Sequence, residues 1–132
     1  LRPISRSGST VIVSELHLLL AFASVMIALF VSLDAFERAL RRIPPTRTNR
    51  RLELALMLAV LASVAAGLWL LVGGARPRDG LHFVWAVIAF GAIPVAGSLG
   101  RRWDPDPRPR AIATLVGGVV SIAAILRLYG TG

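Results

Sequence analysis

The stretch VIVSELHLLLAFASVMIALFVSL, residues 11–33, carries one carboxylate and one histidine; every other side chain in it is apolar or a small hydroxyl. A helix rises about 1.5 Å per residue, so this run is long enough to cross a hydrocarbon core of roughly 30 Å, for which about 20 apolar residues suffice. Read as a strand, it would be far too long, and an open sheet leaves its edge groups unpaired in lipid. Three more runs of the same kind follow, Leu52–Val72, Leu81–Leu99 and Ala111–Leu126. The whole chain of 132 residues is 55% hydrophobic with a mean hydropathy of +0.70, which is too apolar for a soluble domain of this size. The expectation is an all-α protein: an integral membrane four-helix bundle, up-down-up-down, in a single domain spanning 1–132. Its helices are expected at about 11–42, 51–73, 80–100 and 109–129. The first run continues into LDAFERALRR with no small-residue cleavage site, so it reads as a retained helix rather than a signal peptide.

The net charge of +8 comes from fifteen basic residues, all of them arginine. Nearly all stand in or beside the segments that flank the apolar runs, which is how membrane orientation is encoded, and no nucleic-acid partner is expected. Loops one–two and three–four share a side and hold Arg38, Arg41, Arg42, Arg47, Arg50, Arg51, Arg101, Arg102, Arg108 and Arg110. The other side holds Arg2, Arg6, Arg76, Arg78 and Arg127. Ten against five places the two arginine-rich loops in the cytoplasm and both termini outside, as in a bacterial cytoplasmic membrane. The same bias disfavours a dual-topology dimer. The absence of cysteine removes disulfides, thiolate chemistry and iron–sulfur ligation.

The connections are well marked. RRIPPTRTNRR has Pro44 and Pro45 to stop the first helix. GGARPRDG is a short turn whose Asp79 can cap the third helix. RRWDPDPRPR reads as an extended, proline-alternating link with Trp103 as an interfacial anchor and Pro109 in the first turn of the fourth helix. Small residues recur at helical spacing: Ala21, Ser24, Ala28 and Ser32; Ala55, Ala59, Ala62 and Ala66; Gly117, Ser121 and Ala124. Such stripes let membrane helices approach closely. Pro94 should kink the third helix.

The two histidines of the chain, His17 and His82, each stand near the outer end of a run. Counting back from Asp34 and Arg101, the first inner charges of their helices, puts the imidazoles about 25 and 28 Å from the inner surface. Arg127, counted from Arg110, lies about 25 Å out, and Trp69, counted from Glu53, falls in the same layer. Helical steps from His17 reach Ala21, Ser24 and Ala28, and those from His82 reach Ala86 and Ala89, so both share a face with small residues. Helices one and three are diagonal in a square bundle, which leaves room between them for a haem b with His17 and His82 as axial ligands to its iron. Arg127 is the expected partner of a propionate. The simpler reading is a polar rim on a scaffold or accessory subunit without cofactor. A pigment with one histidine ligand is a further alternative.

Other chemistries are poorly served. A zinc or copper site needs three or four ligands, and His17, His82 and Glu15 supply at most three. No serine or aspartate completes a nucleophile–base set with either histidine. A small transporter would be expected to place an ionisable group deep in the membrane; Glu15, Asp34 and Glu37 all lie near its surfaces, the last two paired with Arg38 and Arg41. The bulky apolar residues Leu18, Leu19, Phe22, Phe83 and Val84 flank the small stripes and are available to lipid or to other membrane subunits. The expectation is thus a non-enzymatic subunit of a larger, energy-transducing membrane assembly.

Overall fold

The computed structural model describes residues 7–76, 79–103 and 106–131. Arg2, Arg6, Arg78 and the side chain of Trp103 lie outside the described residues. Four α-helices, α1 (Ser7–Arg41), α2 (Arg47–Val72), α3 (Leu81–Gly100) and α4 (Pro107–Thr131), make up nearly all of it. Each is long and apolar enough to cross a membrane, so the chain is a multi-pass membrane protein by length and composition.

The helix ends follow local chemistry. Helix α2 begins at Arg47, four residues before the start expected at 51, because Thr46 caps it: the Asn49 amide donates to Thr46 Oγ1 at 3.3 Å, and the Thr46 amide donates to Asn49 Oδ1 at 2.6 Å. These two bonds satisfy donors that a helix start leaves open. Asp79 does hold the start of α3, its Oδ1 accepting from the Leu81 amide at 3.0 Å. Helix α4 starts at Pro107, with Pro109 in its first turn and Asp106 Oδ1 accepting from the Arg108 amide at 3.0 Å. The link before it departs from the extended form expected of it. Arg101–Trp103 make a short 3₁₀ turn, since the first proline comes only at 105 and leaves the three preceding amides free to continue the helical bonding. Helix α3 runs through Pro94 without interruption.

Helix α1 packs on α2 and on α4, and α4 packs on α3. Among the described residues α2 and α3 barely touch, and α1 and α3 stand across from each other without contact. The ring order is therefore α2, α1, α4, α3, with a seam between α2 and α3. Along α1 and α2 the paired residues run in opposite order, His17 with Ser63 and Asp34 with Asn49. Along α3 and α4 the order is likewise reversed, Ala89 with Ser121 and Gly100 beside Arg110.

The core is thin and built of modest side chains: Ala28, Val31, Leu56, Val60, Ala89, Ile93, Ala124 and Ile125. Larger apolar residues such as Phe22, Phe30, Leu54, Trp69 and Val87 face outward, which is the surface of a protein in contact with lipid. The small stripes of α1 and α4 are the packing faces. Ser24, Ala28 and Ser32 are buried, and each serine spends its hydroxyl on its own helix, Ser24 on Leu20 O at 2.7 Å and Ser32 on Ala28 O at 2.8 Å. Two adjacent glycines serve two neighbours of α4. A Cβ on Gly117 would lie 2.7 Å from Ala96 Cβ of α3, and one on Gly118 would collide with Ser32 Oγ of α1. The stripe expected on α2 is not its packing face. Ala62 is exposed and only Ala66 of that row is buried; Asn49, Leu56 and Val60 are buried instead. The reason is rotational: α2 turns Ser63 and Gly67 toward His17, which carries Leu56 and Val60 into the core.

One end of the bundle is closed by polar bonds. Arg38, 4% exposed, sets Nε 2.8 Å from Asp34 Oδ2, and Asn49 Nδ2 donates to the other carboxylate oxygen at 2.7 Å. Among the described residues, Arg38 Nη2 is the one buried side-chain polar atom without a hydrogen-bond partner. Arg41 pairs with Glu37 at 3.2 Å on the exposed side of the same helix.

Candidate functional site

The other end is open. A cavity of about 330 Å³ lies there, with walls from all four helices. Both histidines line it: His17 from α1 and His82 from the first turn of α3. Most of the remaining wall is aliphatic or aromatic, including Leu18, Leu68, Phe83 and Ile125, with Ala21, Ala86 and Gly67 leaving the space. The seam between α2 and α3 is what lets it exist, since those two helices do not close on each other.

His17 is fixed from α2. Its Nδ1 lies 2.9 Å from the carbonyl oxygen of Ser63 and 3.3 Å from the Ser63 hydroxyl. A carbonyl can only accept, so the shorter contact puts a proton on Nδ1, and in the neutral ring the lone pair is then on Nε2. The ring lies over Gly67: a Cβ there would be 3.3 Å from His17 Cε1 and 3.7 Å from Nδ1. Glycine at this position is thus a seat for the imidazole.

His82 is fixed from α4, through a hydrogen bond to the backbone of Leu128. The Leu128 amide is committed within α4, so the carbonyl in the last turn is the acceptor and the ring is the donor. Phe83 meets the His82 ring edge-on, with centroids 6.1 Å apart and planes at 87°. Each imidazole therefore spends one N–H on a carbonyl of a neighbouring helix and keeps its other nitrogen as a possible ligand. Histidines that ligate metals are held in this manner.

Arg127, the third residue expected in this layer, is exposed and is not among the cavity-lining residues. Trp69 points outward too, 67% exposed, and Glu15 is exposed. In their place the cavity gains Ser63, Gly67, Arg76 and Tyr129. Tyr129 donates its hydroxyl to Leu18 O at 3.3 Å and so ties α4 to α1 across the rim. Of these residues, Ser63 and Gly67 were within reach of the sequence. They sit four apart on the α2 face that meets His17, and a serine–glycine pair of that spacing marks a close helix approach.

Among the described residues no three His, Asp or Glu side chains converge to hold a bare metal ion. Two imidazoles from opposite helices are one of the ligand sets that haem iron takes from proteins. A second hollow, between α3 and α4 toward the arginine end, measures about 520 Å³; it is more open, with apolar walls such as Val95, Leu99 and Ile112. No known protein family, characterised protein or solved structure matches this chain.

Proposed function

We propose that this chain is inserted in a bacterial cytoplasmic membrane as an up-down-up-down bundle with both termini outside, and that it holds one b-type haem between His17 and His82 near the outer face. In this reading it is an electron-transfer subunit of a larger energy-transducing membrane assembly and not an enzyme by itself. One observation carries the proposal: the two histidines of the chain line a single cavity, each donating one N–H to a backbone carbonyl of the next helix. That arrangement commits one ring nitrogen of each histidine to a carbonyl and, in the neutral imidazole that a metal requires, leaves the lone pair on the other.

The residues at the site fit the group. The donor set is bis-imidazole, the lining is mostly apolar, and Gly67, Ala21 and Ala86 are small residues within it. The cavity volume of about 330 Å³ is at the lower end of the range that small-molecule sites occupy, and the sparse α2–α3 contact leaves a seam beside it. A bound haem would supply one-electron transfer; His17 and His82 would hold it, and the surrounding wall is mostly apolar. The orientation rests on the arginine bias, since ten basic residues flank one pair of loops and five the other end.

The test is an absorption spectrum of the protein purified from native membranes in mild detergent, oxidised and then reduced with dithionite. A sharp α-band on reduction, lost in both His17→Ala and His82→Ala, is the expected result. A far-red band indifferent to dithionite would replace haem with a chlorophyll-type pigment. A colourless protein that stays colourless on addition of haem would leave a cofactor-free scaffold.

A further inference from the structure

We infer that Arg76 binds the acidic edge of the molecule held in the histidine cavity, and that the α2–α3 turn is shaped to put it there. The inference rests on the haem reading and names the group that selects the ligand's carboxylates.

A haem is a flat apolar ring with two carboxylates on one edge. Carboxylates left unpaired in a hydrocarbon environment are costly, so this edge must leave through the mouth of the cavity or meet a cation there. Among the described residues that line the cavity, Arg76 is the one arginine, and no lysine or carboxylate accompanies it. Arg127 shares the layer but not the lining.

The backbone explains the placement. Helix α2 ends with three bonds: Gly73 N–H to Trp69 O at 3.0 Å, Gly74 N–H to Leu71 O at 3.1 Å, and Ala75 N–H to Leu70 O at 3.0 Å. The last two are the paired bonds that close a helix through a left-handed residue. That residue is Gly74, with φ of 98°, a conformation which side chains beyond glycine rarely take. The chain therefore doubles back over the end of α2 instead of running on into solvent. Ala75 and Arg76 come to lie on the cavity. A guanidinium there presents a fork of donors that matches a carboxylate, on the same cavity that His17 and His82 line. The mouth is exposed at Arg76, so the cation needs no burial to be in place.

The experiment compares two probes on the purified apoprotein in detergent: haem b, and its dimethyl ester, which has the same iron and ring but no carboxylates. Wild type is expected to bind haem b about tenfold or more tightly than the ester, the value of one charge-assisted bond. Arg76→Gln should erase that preference while leaving ester binding and the bis-imidazole spectrum unchanged. Arg127→Gln should keep it. Gly74→Val, which strains the turn without touching a charge, should weaken haem b binding and spare the ester. If Arg127→Gln erases the preference, or Arg76→Gln retains it, the assignment of Arg76 is wrong while the haem site stands. If neither porphyrin gives a bis-imidazole spectrum, the haem reading fails and takes this inference with it.

Discussion

The two ends of this bundle are built on opposite plans. At the arginine end α1 and α2 are joined by Asn49 Nδ2 on Asp34 at 2.7 Å, with Arg38 on the same carboxylate from within α1 at 2.8 Å and Thr46 on Asn49 Oδ1 at the cap of α2. At the histidine end the cross-helix bonds are His17 to Ser63, His82 to Leu128 and Tyr129 to Leu18, and they surround a cavity in place of a core. In lipid, no hydrophobic force holds one helix to another; close packing and polar bonds do that work. The arginine end is closed by polar bonds, and the histidine end encloses a cavity.

The largest effect is expected where the fixed end is unlocked. Asp34→Ala removes the acceptor for Arg38 Nε and for Asn49 Nδ2 together. Arg38 would remain buried, with a second orphaned N–H beside the one it already has. Asp34 is partly open to its surroundings, so the loss should fall between that of an exposed pair and the roughly 3 kcal/mol of a fully buried one broken from one side, about 1–3 kcal/mol. Thermal unfolding in detergent should show it. If the protein loses less than the ~0.5 kcal/mol of an exposed pair such as Arg41–Glu37, the fold does not depend on this end. Next comes Gly118→Val on α4. Ser32 Oγ already occupies the place of the new side chain, so α1 and α4 must part, at about 1–3 kcal/mol. An unchanged melting temperature would mean that these helices have slack the structure does not show. Thr46→Ala is smaller again. It deletes the cap of α2 and should cost about 1 kcal/mol, readable in the same unfolding experiment.

Much of this division could be read from residues alone. The four apolar runs gave the helices, and the serine and glycine stripes of α1 and α4 gave their packing faces, because hydroxyls bonded within a helix and missing side chains both bring backbones together. Helix α2 was misread for a physical reason. Its alanine row Ala55–Ala66 and its true face, Leu56, Val60, Ser63 and Gly67, are one residue apart, and helical spacing alone cannot choose between faces that adjacent. What chose was a tertiary partner, the ring of His17. The capping of α2 was overlooked for a different reason: Thr46 and Asn49 sit in a polar segment where apolar periodicity is silent. Layer counting brought His17 and His82 to one level and set Arg127 beside them, but depth says nothing of direction around a helix. Arg127 faces out, and Arg76, hidden in a glycine turn, lines the cavity. The position of Arg76 depends on the φ of Gly74, which no count of residues contains.

The smallest change sharpens the comparison most. Gly67→Ala adds one methyl at the histidine end, 3.3 Å from His17 Cε1 and 3.7 Å from Nδ1. Those distances are tight without being impossible, so the imidazole must shift by a few tenths of an ångström. The ring is held by the carbonyl of Ser63, one turn before Gly67 on the same helix, and the shift strains that bond. Where the end is loose, little of this reaches the fold: alanine also favours a helix over glycine by roughly 0.5–1 kcal/mol, which offsets the crowding, and the melting temperature should stay near wild type. Ligand binding has no such compensation, because a misaligned imidazole no longer points its lone pair where iron would sit, and loss of a supporting contact costs about 10–100-fold in metal affinity. Titration of haem b into the variant should therefore show weakened binding at unchanged stability. A variant that melts early and binds normally would reverse the assignment, making the histidine end the structural one and His17 a packing residue seated on glycine.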